Sequence, residues 1–133
     1  MKKSLVLLGA LMMPLLSIAQ LPAVQSISNT RFIEGGVGFD ESEAIQMDLK
    51  NWPLLIEFSQ ASGKKAEWVA DVFVVIKDAK GNQVLAHQLE GPLLLVDLMP
   101  GKYSVESSYN GQKKLIGIDV EGGQHKKIDI NWK

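Results

Sequence analysis

The residues able to carry metal chemistry in this 133-residue chain are few and lie far apart. His87 and His125 are the only histidines, and the sequence contains no cysteine. A zinc site generally takes three or four protein ligands, and no set of histidines and carboxylates is spaced to supply them. We therefore predict that both histidines are solvated surface residues and that the protein binds neither a metal nor another cofactor.

A second candidate segment combines glycines with carboxylates. The run Gly35-Gly36-Val37-Gly38 has neither a preceding strand nor the Lys-Ser/Thr ending of a phosphate-binding loop. Asp40, Glu41 and Glu43 do not have the spacing of a calcium loop, and the helix dipole favours acidic residues at a helix start. We interpret the segment as a flexible entry loop leading into a helix.

Nucleophiles and aromatic residues are the remaining candidates. Ser104, Ser107 and Ser108 have no base nearby in sequence, and their alternation places them on a strand, so we predict no catalytic residue. Two exposed aromatic side chains together could stack on a sugar or a peptide. Burying one removes roughly 150–250 Å² from water, however, so in-phase aromatic residues are expected in the core. The aromatic residues concerned are Trp52, Trp68, Tyr103, Tyr109 and Trp132.

The N-terminal residues have the pattern of an export signal. Lys2 and Lys3 precede an apolar run from Leu5 to Leu16, and Ser17-Ile18-Ala19 supplies the small residues of a cleavage site. A bilayer span takes roughly 20 apolar residues, which this run does not reach. We expect residues 1–19 to be a cleaved signal peptide, which leaves an exported chain with no membrane span.

Composition limits the partners of the processed chain. The 14 basic residues, less Lys2 and Lys3, face 15 acidic ones, so its formal charge is −3. This balance is not that of a nucleic-acid-binding protein. Residues 20–133 fit one domain, since domains commonly hold about 100–150 residues. We expect a monomer or a weak homo-oligomer.

The elements that must position these residues begin with a short helix. Residues 20–51 form a lead-in segment that contains the glycine-rich loop and the helix. Its polar first part, residues 20–31, is interpreted as a mobile lead-in or an edge segment. Asp40 is predicted to cap the helix while Glu43 reaches back to it, and Ile45 and Leu49 share one face. The helix is expected to end near Pro53.

The period then changes to two, and residues 52–133 are predicted to form one mainly β domain. Trp52, Leu54, Ile56 and Phe58 share one parity, and residues 59–67 turn the chain. The next strand is predicted to run from Trp68 to Ile76 at the centre of its sheet. Four further strands follow within residues 83–89, 93–98, 102–109 and 115–120, and the last lies within residues 128–132.

The turns between these strands carry their own signals. Gly81 is free to take a positive φ, Gly91-Pro92 marks another turn, and Asn110-Gly111 is a hairpin signal. Pro100 presets φ for a type II turn and Gly101 accepts the positive φ that follows, so that Leu98 and Tyr103 enter adjacent strands. About seven short strands of this spacing predict a seven-stranded antiparallel β-sandwich.

The order of these turns resembles the carboxypeptidase regulatory-like domain, a transthyretin-like (prealbumin-like) relative of the Ig-like sandwiches. The resemblance covers roughly residues 67–132 and rests on a Lys80-Gly81 turn, Gly91-Pro92 and the segment from Leu98 to Tyr103. The family's usual turn is Leu-Pro-Pro-Gly-x-Tyr, and Met99 replaces its first proline. Small exported proteins of Gram-negative bacteria carry this domain alone, which implies a periplasmic address.

Two relatives of this fold that carry chemistry do not match the chain. Hydroxyisourate hydrolases use a His and Arg constellation, whereas the only arginine here is Arg31. Pilin sandwiches form a Lys–Asn isopeptide with an acid four residues after the tyrosine, and Ser107 occupies that position. Lys77 and Asn131 are therefore predicted to be surface residues.

These observations predict a non-catalytic binding or accessory module of the bacterial cell envelope, with an envelope protein or glycan as its partner. The alternative is a structural or assembly protein that pairs through an edge strand. A carbohydrate-binding module or an enzyme is a weaker interpretation.

Overall fold

The structure, a computed structural model, describes residues 20–133, so the predicted signal peptide lies outside the described residues. This part of the chain is mainly β, with one short α-helix and ten strands where the sequence predicted seven. The elements are β1 Gln25–Ile27, β2 Thr30–Gly35, α1 Phe39–Met47, a 3-10 helix Asp48–Asn51, β3 Leu54–Ser62, β4 Lys65–Trp68, β5 Phe73–Asp78, β6 Gln83–Gln88, β7 Leu93–Val96, β8 Gly101–Tyr109, β9 Gln112–Val120 and β10 Lys126–Trp132.

The strands form two sheets. The first has the order β1-β2-β7-β3-β10 with β4 also paired to β3, and the second has the order β6-β5-β8-β9. The prediction of purely antiparallel pairing is wrong at one place, because β10 runs parallel to β3. The chain crosses from β9 in the second sheet to β10 in the first, and the Lys126 amide bonds the Pro53 carbonyl at 2.9 Å, which aligns the two strand starts. The central position predicted for β5 is confirmed.

One hydrophobic core lies between the two sheets. Leu54, Ile56 and Phe58 enter it from β3, and Val105 on β8 and Ile118 on β9 enter it from the other sheet. Burial of apolar surface of this kind is the dominant favourable term in folding. The shared inward face is confirmed for Leu54, Ile56 and Phe58 but is wrong for Trp52, which precedes β3 and packs on the other face of the sheet.

A smaller core lies on the other face of the first sheet, beneath α1. Ile45 and Trp52 pack there against Leu55, Leu93 and Leu95, and Leu49 is partly buried beside them. The shared face predicted for Ile45 and Leu49 is confirmed. Because both faces of the sheet are covered here, all four residues of β7 are buried.

The helix begins differently from the prediction. Gly38, with φ 96° and ψ 154°, is the N-cap residue, and no side chain caps the helix. Asp40 lies inside the first turn, so it cannot be the cap. A φ of this sign suits glycine, which lacks the Cβ that makes it costly elsewhere. The 3-10 helix ends at Asn51, as predicted from Pro53.

The lead-in segment supplies two strands of the first sheet. β1, within residues 20–31, lies at the sheet edge, which is one of the two alternatives predicted for those residues, and β2 pairs with β7. Ser28 and Asn29 turn the chain between β1 and β2 with φ values of 53° and 65°. Strands β1 and β2 thus join the same sheet as β3, β7 and β10, and β2 leads directly into the glycine-rich segment, before which the sequence predicted no strand.

Residues 59–76 contain the largest correction. The sequence predicted a turn over residues 59–67 and one strand from Trp68 to Ile76, whereas β3 continues to Ser62 and pairs with β4. Asp71 takes a left-handed φ of 62°, which interrupts the extended chain between β4 and β5. The two-residue period read across this interruption therefore joined residues that belong to different strands.

The predicted turn at Pro100-Gly101 has a different role. It connects β7 in the first sheet to β8 in the second, so Leu98 and Tyr103 do not enter adjacent strands. Gly101 has a φ of 156°, far from the roughly +80° of a type II turn. By contrast the Asn110-Gly111 hairpin is confirmed, with φ values of 50° and 77° that fit a type I′ turn.

Within residues 20–133, no helix has the length and apolar character that crossing a membrane would take.

Candidate functional site

An open groove lies between α1 and β4 on the outer face of the first sheet. It has a volume of about 360 Å³. Its walls carry two exposed aromatic side chains, Phe39 with 75% and Trp68 with 42% of their surface exposed. The other lining residues are Gly36, Gly38, Ser42, Glu43 and Gln46.

Local hydrogen bonds fix the helix wall of this groove. The Glu41 carboxylate accepts a hydrogen bond from the Gly36 amide at 2.8 Å, and the Ser42 hydroxyl donates to the Phe39 carbonyl at 2.9 Å. The Gln46 side-chain amide donates to the Ser42 carbonyl at 3.3 Å. These contacts hold the first turn of α1 in place, so the exposed Phe39 ring is presented from a fixed backbone.

The opposite wall is the last residue of β4. Trp68 pairs with Ser59 of β3 on the face that looks toward α1, and the next residue, Val69, is buried. The prediction that in-phase aromatic residues are core holds for Trp52 and Trp132, which are buried, and is wrong for Trp68. Trp68 departs because its strand extends past β7 and the core beneath it.

Strand β4 also presents an open backbone edge. Among the described residues it pairs with β3 alone, and all four of its residues are exposed. The Val69 amide donates to the Phe58 carbonyl at 3.1 Å, so residues 69, 67 and 65 point their backbone groups at β3. The amides and carbonyls of Ala66 and Trp68 therefore point outward, away from β3.

Charged residues lie in the groove and on the opposite face of β4. Glu43 lines the helix wall, whereas Lys65 and Glu67 alternate with Trp68 along β4 and point away from the groove. All of these hairpin residues are exposed. The site therefore combines outward backbone groups, two aromatic side chains and a carboxylate, and an open backbone edge beside a pocket is a means of binding an extended chain.

A buried carboxylate forms a second site that the sequence did not reveal. The Oε1 atom of Glu34 on β2 accepts hydrogen bonds from the amides of Glu90 at 2.9 Å and Gly91 at 3.1 Å. Its Oε2 atom lies 3.8 Å from Nε2 of His87, and the side chain of Glu34 is only 6% exposed. Glu34 thus fastens the β6–β7 turn to β2.

His87 and His125 occupy different surroundings. The His87 ring tilts against Phe32 at 5.0 Å between centroids and is half-buried beside Glu34, so its prediction as a solvated residue is wrong. His125 is exposed as predicted, and its Nδ1 lies 2.7 Å from the Trp52 carbonyl oxygen. Over residues 20–133, the structure brings no three His, Cys, Asp or Glu residues together in a way that could hold a metal ion.

The predicted turn residues lie at the connections between strands. The Tyr103 hydroxyl donates to the Met99 carbonyl at 2.7 Å, which ties β8 to the Pro100-Gly101 connection. Burial, and then the nearby Asp78, raises the pKa of Tyr103.

Gly91 approaches Gly35 so closely that any side chain at Gly91 would collide with the Gly35 backbone. Pro92 follows it and starts the entry into β7.

The hairpin around Gly81 is stabilised by Asp78. The Asp78 carboxylate accepts hydrogen bonds from the amides of Lys80 and Asn82, both at 2.9 Å. Hydrogen bonding to the Asn82 amide, foremost, lowers the pKa of Asp78. Gly81 takes the predicted positive φ, at 85°. Local interactions therefore specify this turn.

The residues weighed for other chemistries remain apart. Arg31 is exposed, and its guanidinium carbon lies 5.4 Å from the centroid of the Trp52 ring. It is distant in sequence from Tyr103 and the Pro100-Gly101 connection. Lys77 is exposed as predicted, whereas Asn131 is half-buried and donates a hydrogen bond to the Ser59 hydroxyl at 2.7 Å. Ser107 is fully buried on β8.

Comparison of the chain with models of known protein families and with curated proteins returned no match.

Proposed function

We propose that this chain is a non-catalytic module of the bacterial cell envelope that binds an extended protein strand in the groove between α1 and β4. The observation that carries the proposal is the open β4 edge, whose outward backbone groups at Ala66 and Trp68 lie beside two exposed aromatic side chains. This joins the binding role and the edge-strand role predicted from the sequence into one surface.

The periplasmic address and the fold family are parts of the same proposal. The pattern of residues 1–19 supports export, and two sheets around one core fit a transthyretin-like β-sandwich of the carboxypeptidase regulatory-like type. The parallel pairing of β3 with β10 is the feature that departs from the antiparallel sandwich described above. The binding site lies on an element outside the core, so it does not depend on the family assignment.

An extended strand suits this groove better than a compact ligand does. A peptide added to a sheet edge gains main-chain hydrogen bonds and places alternate side chains in pockets beside the edge. Here the main-chain donors and acceptors lie on β4, and the pocket for alternate side chains is bounded by Phe39 and Trp68. The groove is open at its surface, which suits a segment that passes through it.

The test is capture of envelope proteins by the immobilised exported chain and by three variants. Ala66→Pro removes an outward amide without removing a bond to β3, because proline is tolerated where a strand's N–H faces solvent. We expect Ala66→Pro and Trp68→Ala to abolish binding of the captured protein. Leu115→Ala is the matched control, since Leu115 is an exposed apolar residue on β9 of the other sheet.

Three results would contradict the proposal. A protein held equally by all variants would place the binding surface elsewhere. Recovery of glycan in place of protein, lost with Trp68→Ala, would make the groove a carbohydrate site. Turnover of an envelope substrate by the wild-type chain, abolished by a point change, would make the protein an enzyme.

A further inference from the structure

The charges along β4 are complementary to a second copy of the same strand. In an antiparallel pair with two-fold symmetry, the residue at the centre lies opposite the same residue of the second copy. The residue before the centre then lies opposite the residue that follows the centre in the second copy. Centring the pair on Ala66 places Lys65 opposite Glu67 of the second copy and Glu67 opposite its Lys65. Opposite charges that face each other across strands are stabilising.

The two neighbouring registers place like charges opposite each other. Centring the pair on Lys65 places two lysines face to face, and centring it on Glu67 does the same with two glutamates. Like charges directly opposite each other are destabilising. Lysines on an edge strand usually keep other strands away, but here each one has an acidic partner in a single register. The charges thus select the arrangement centred on Ala66.

The backbone and the groove fit the same register. The outward amide and carbonyl of Ala66 would face those of its copy and exchange two hydrogen bonds. Trp68 would lie opposite Lys64 of the second copy, the turn residue that precedes its β4. That lysine would lie over the indole ring and next to Glu43, which lines the groove with Trp68. Both a cation–π contact and an ion pair would then form in the groove.

We infer that the β4 edge and the α1–β4 groove bind a second copy of this chain through an antiparallel β4–β4 pair centred on Ala66. This inference rests on the proposed function, because it names the extended strand that the groove takes. A pair of four-residue strands buries little surface, and stable interfaces bury about 1,200–2,000 Å². The dimer is therefore weak, with a dissociation constant of roughly 0.1 mM.

The charge pattern allows a reversal experiment. Sedimentation of the purified exported chain from about 10 µM to 1 mM should report a concentration-dependent dimer. Lys65→Glu and Glu67→Lys each turn two attractive pairs into repulsive ones, and each should weaken the dimer at least about tenfold. The double variant Lys65→Glu/Glu67→Lys restores the pairing and should dimerise like the wild type.

A cysteine trap tests the register itself, and the absence of cysteine from the sequence gives it a clean background. Facing residues in a hydrogen-bonded antiparallel pair lie about 5.5 Å apart between Cα atoms, within the range that a disulfide spans. Ala66→Cys should therefore form a disulfide dimer under mild oxidation. Ser62→Cys, exposed at the end of β3 and distant from the two-fold axis, should remain a monomer.

The competing edge is β9, the longest edge strand of the second sheet. Lys113→Glu on β9 should leave the dimer unchanged, because β9 takes no part in it. Loss of the dimer in that variant, failure of the double variant to restore it, or equal cross-linking of the Ser62→Cys and Ala66→Cys variants would overturn the inference. Absence of any dimer together with capture of an envelope protein sensitive to Ala66→Pro would overturn this inference and leave the proposed function standing.

Discussion

The two hairpins β8–β9 and β3–β4 differ in the length of their pairing and in the burial of their side chains. β8 and β9 pair over nine residues, and inward side chains such as Val105 and Ile118 belong to the shared core. β3 and β4 pair over four residues, and every residue of β4 is exposed. Packing in the core therefore restricts which residues can occupy the inward positions of β8 and β9. The residues of β4 pack against no core and can contact another molecule.

The largest expected effect separates the two faces of the β3–β4 hairpin. Phe58 is fully buried and stacks on Trp132 at 6.3 Å between ring centroids. Phe58→Ala should lower the free energy of unfolding by about 3–5 kcal/mol, measured by urea denaturation, because it leaves a cavity in the core. Trp68→Ala, on the outer face of the same hairpin, should lower it by less than about 1 kcal/mol. Equal losses would remove the distinction between a core face and a contact face.

The next effect concerns the buried polar contact that anchors β2. Glu34→Ala should lower the free energy of unfolding by about 2–3 kcal/mol, since the amides of Glu90 and Gly91 lose their acceptor. Glu34→Gln retains a side-chain oxygen and should lose less, as measured in the same urea titration. A Glu34→Ala variant as stable as the wild type would mean that the two amides find other partners.

A smaller effect, of opposite sign, is expected within the β8–β9 hairpin. The Ser107 hydroxyl is buried and has no hydrogen-bond partner among the residues that the structure describes. Ser107→Ala should raise the free energy of unfolding by about 1 kcal/mol, because burying an unpaired hydroxyl is unfavourable. Ser108→Ala, one residue along and half-buried, is the control and should change it little. Destabilisation by Ser107→Ala would indicate that the hydroxyl has a partner.

The smallest effect is a pH dependence at the pairing of β3 with β10. Burial, followed by the neighbouring Asp129, raises the pKa of Glu57 above its ordinary value of 4.5, while Lys127 opposes the shift. Because the folded state holds this proton more tightly than the unfolded state, stability falls as the pH rises from about 4.5 through the raised pKa.

Thermal unfolding across this pH range measures the Glu57 effect. Glu57→Gln should flatten the fall, and Asp129→Asn should reduce it by removing the facing carboxylate. A fall that is unchanged in both variants would assign the titration to another group.

The parts of the fold that local pattern specifies were predictable from the sequence. Ile116, Ile118 and Val120 alternate through β9, and Asn110-Gly111 marks its hairpin, because both signals depend on residues close together in the chain. The strand β4 was not predictable by the same means. The alternation of apolar residues runs from Trp68 into β5 without a break in the sequence. The left-handed φ of Asp71 nevertheless ends the extended chain there, and no sequence motif indicated that φ.

The contacts of the candidate sites depend on residues distant in sequence. Glu34 finds its amide partners 56 and 57 residues away, so its role follows only from the fold. The groove forms because β4 extends past β7 and faces the first turn of α1. Trp68 could be identified from the sequence as an aromatic candidate, but its exposure depends on that extension.

The most direct test of the account is amide hydrogen exchange of residues 20–133, measured in dilute solution and again at high concentration. We predict that the amides of Ala66 and Trp68, which point away from β3, exchange rapidly when dilute and become protected when concentrated. The Glu67 amide, which faces β3, should change little, and so should the amides of β9. Protection gained along β9 with none at Ala66 and Trp68 would contradict the assignment of β4 as the contact edge.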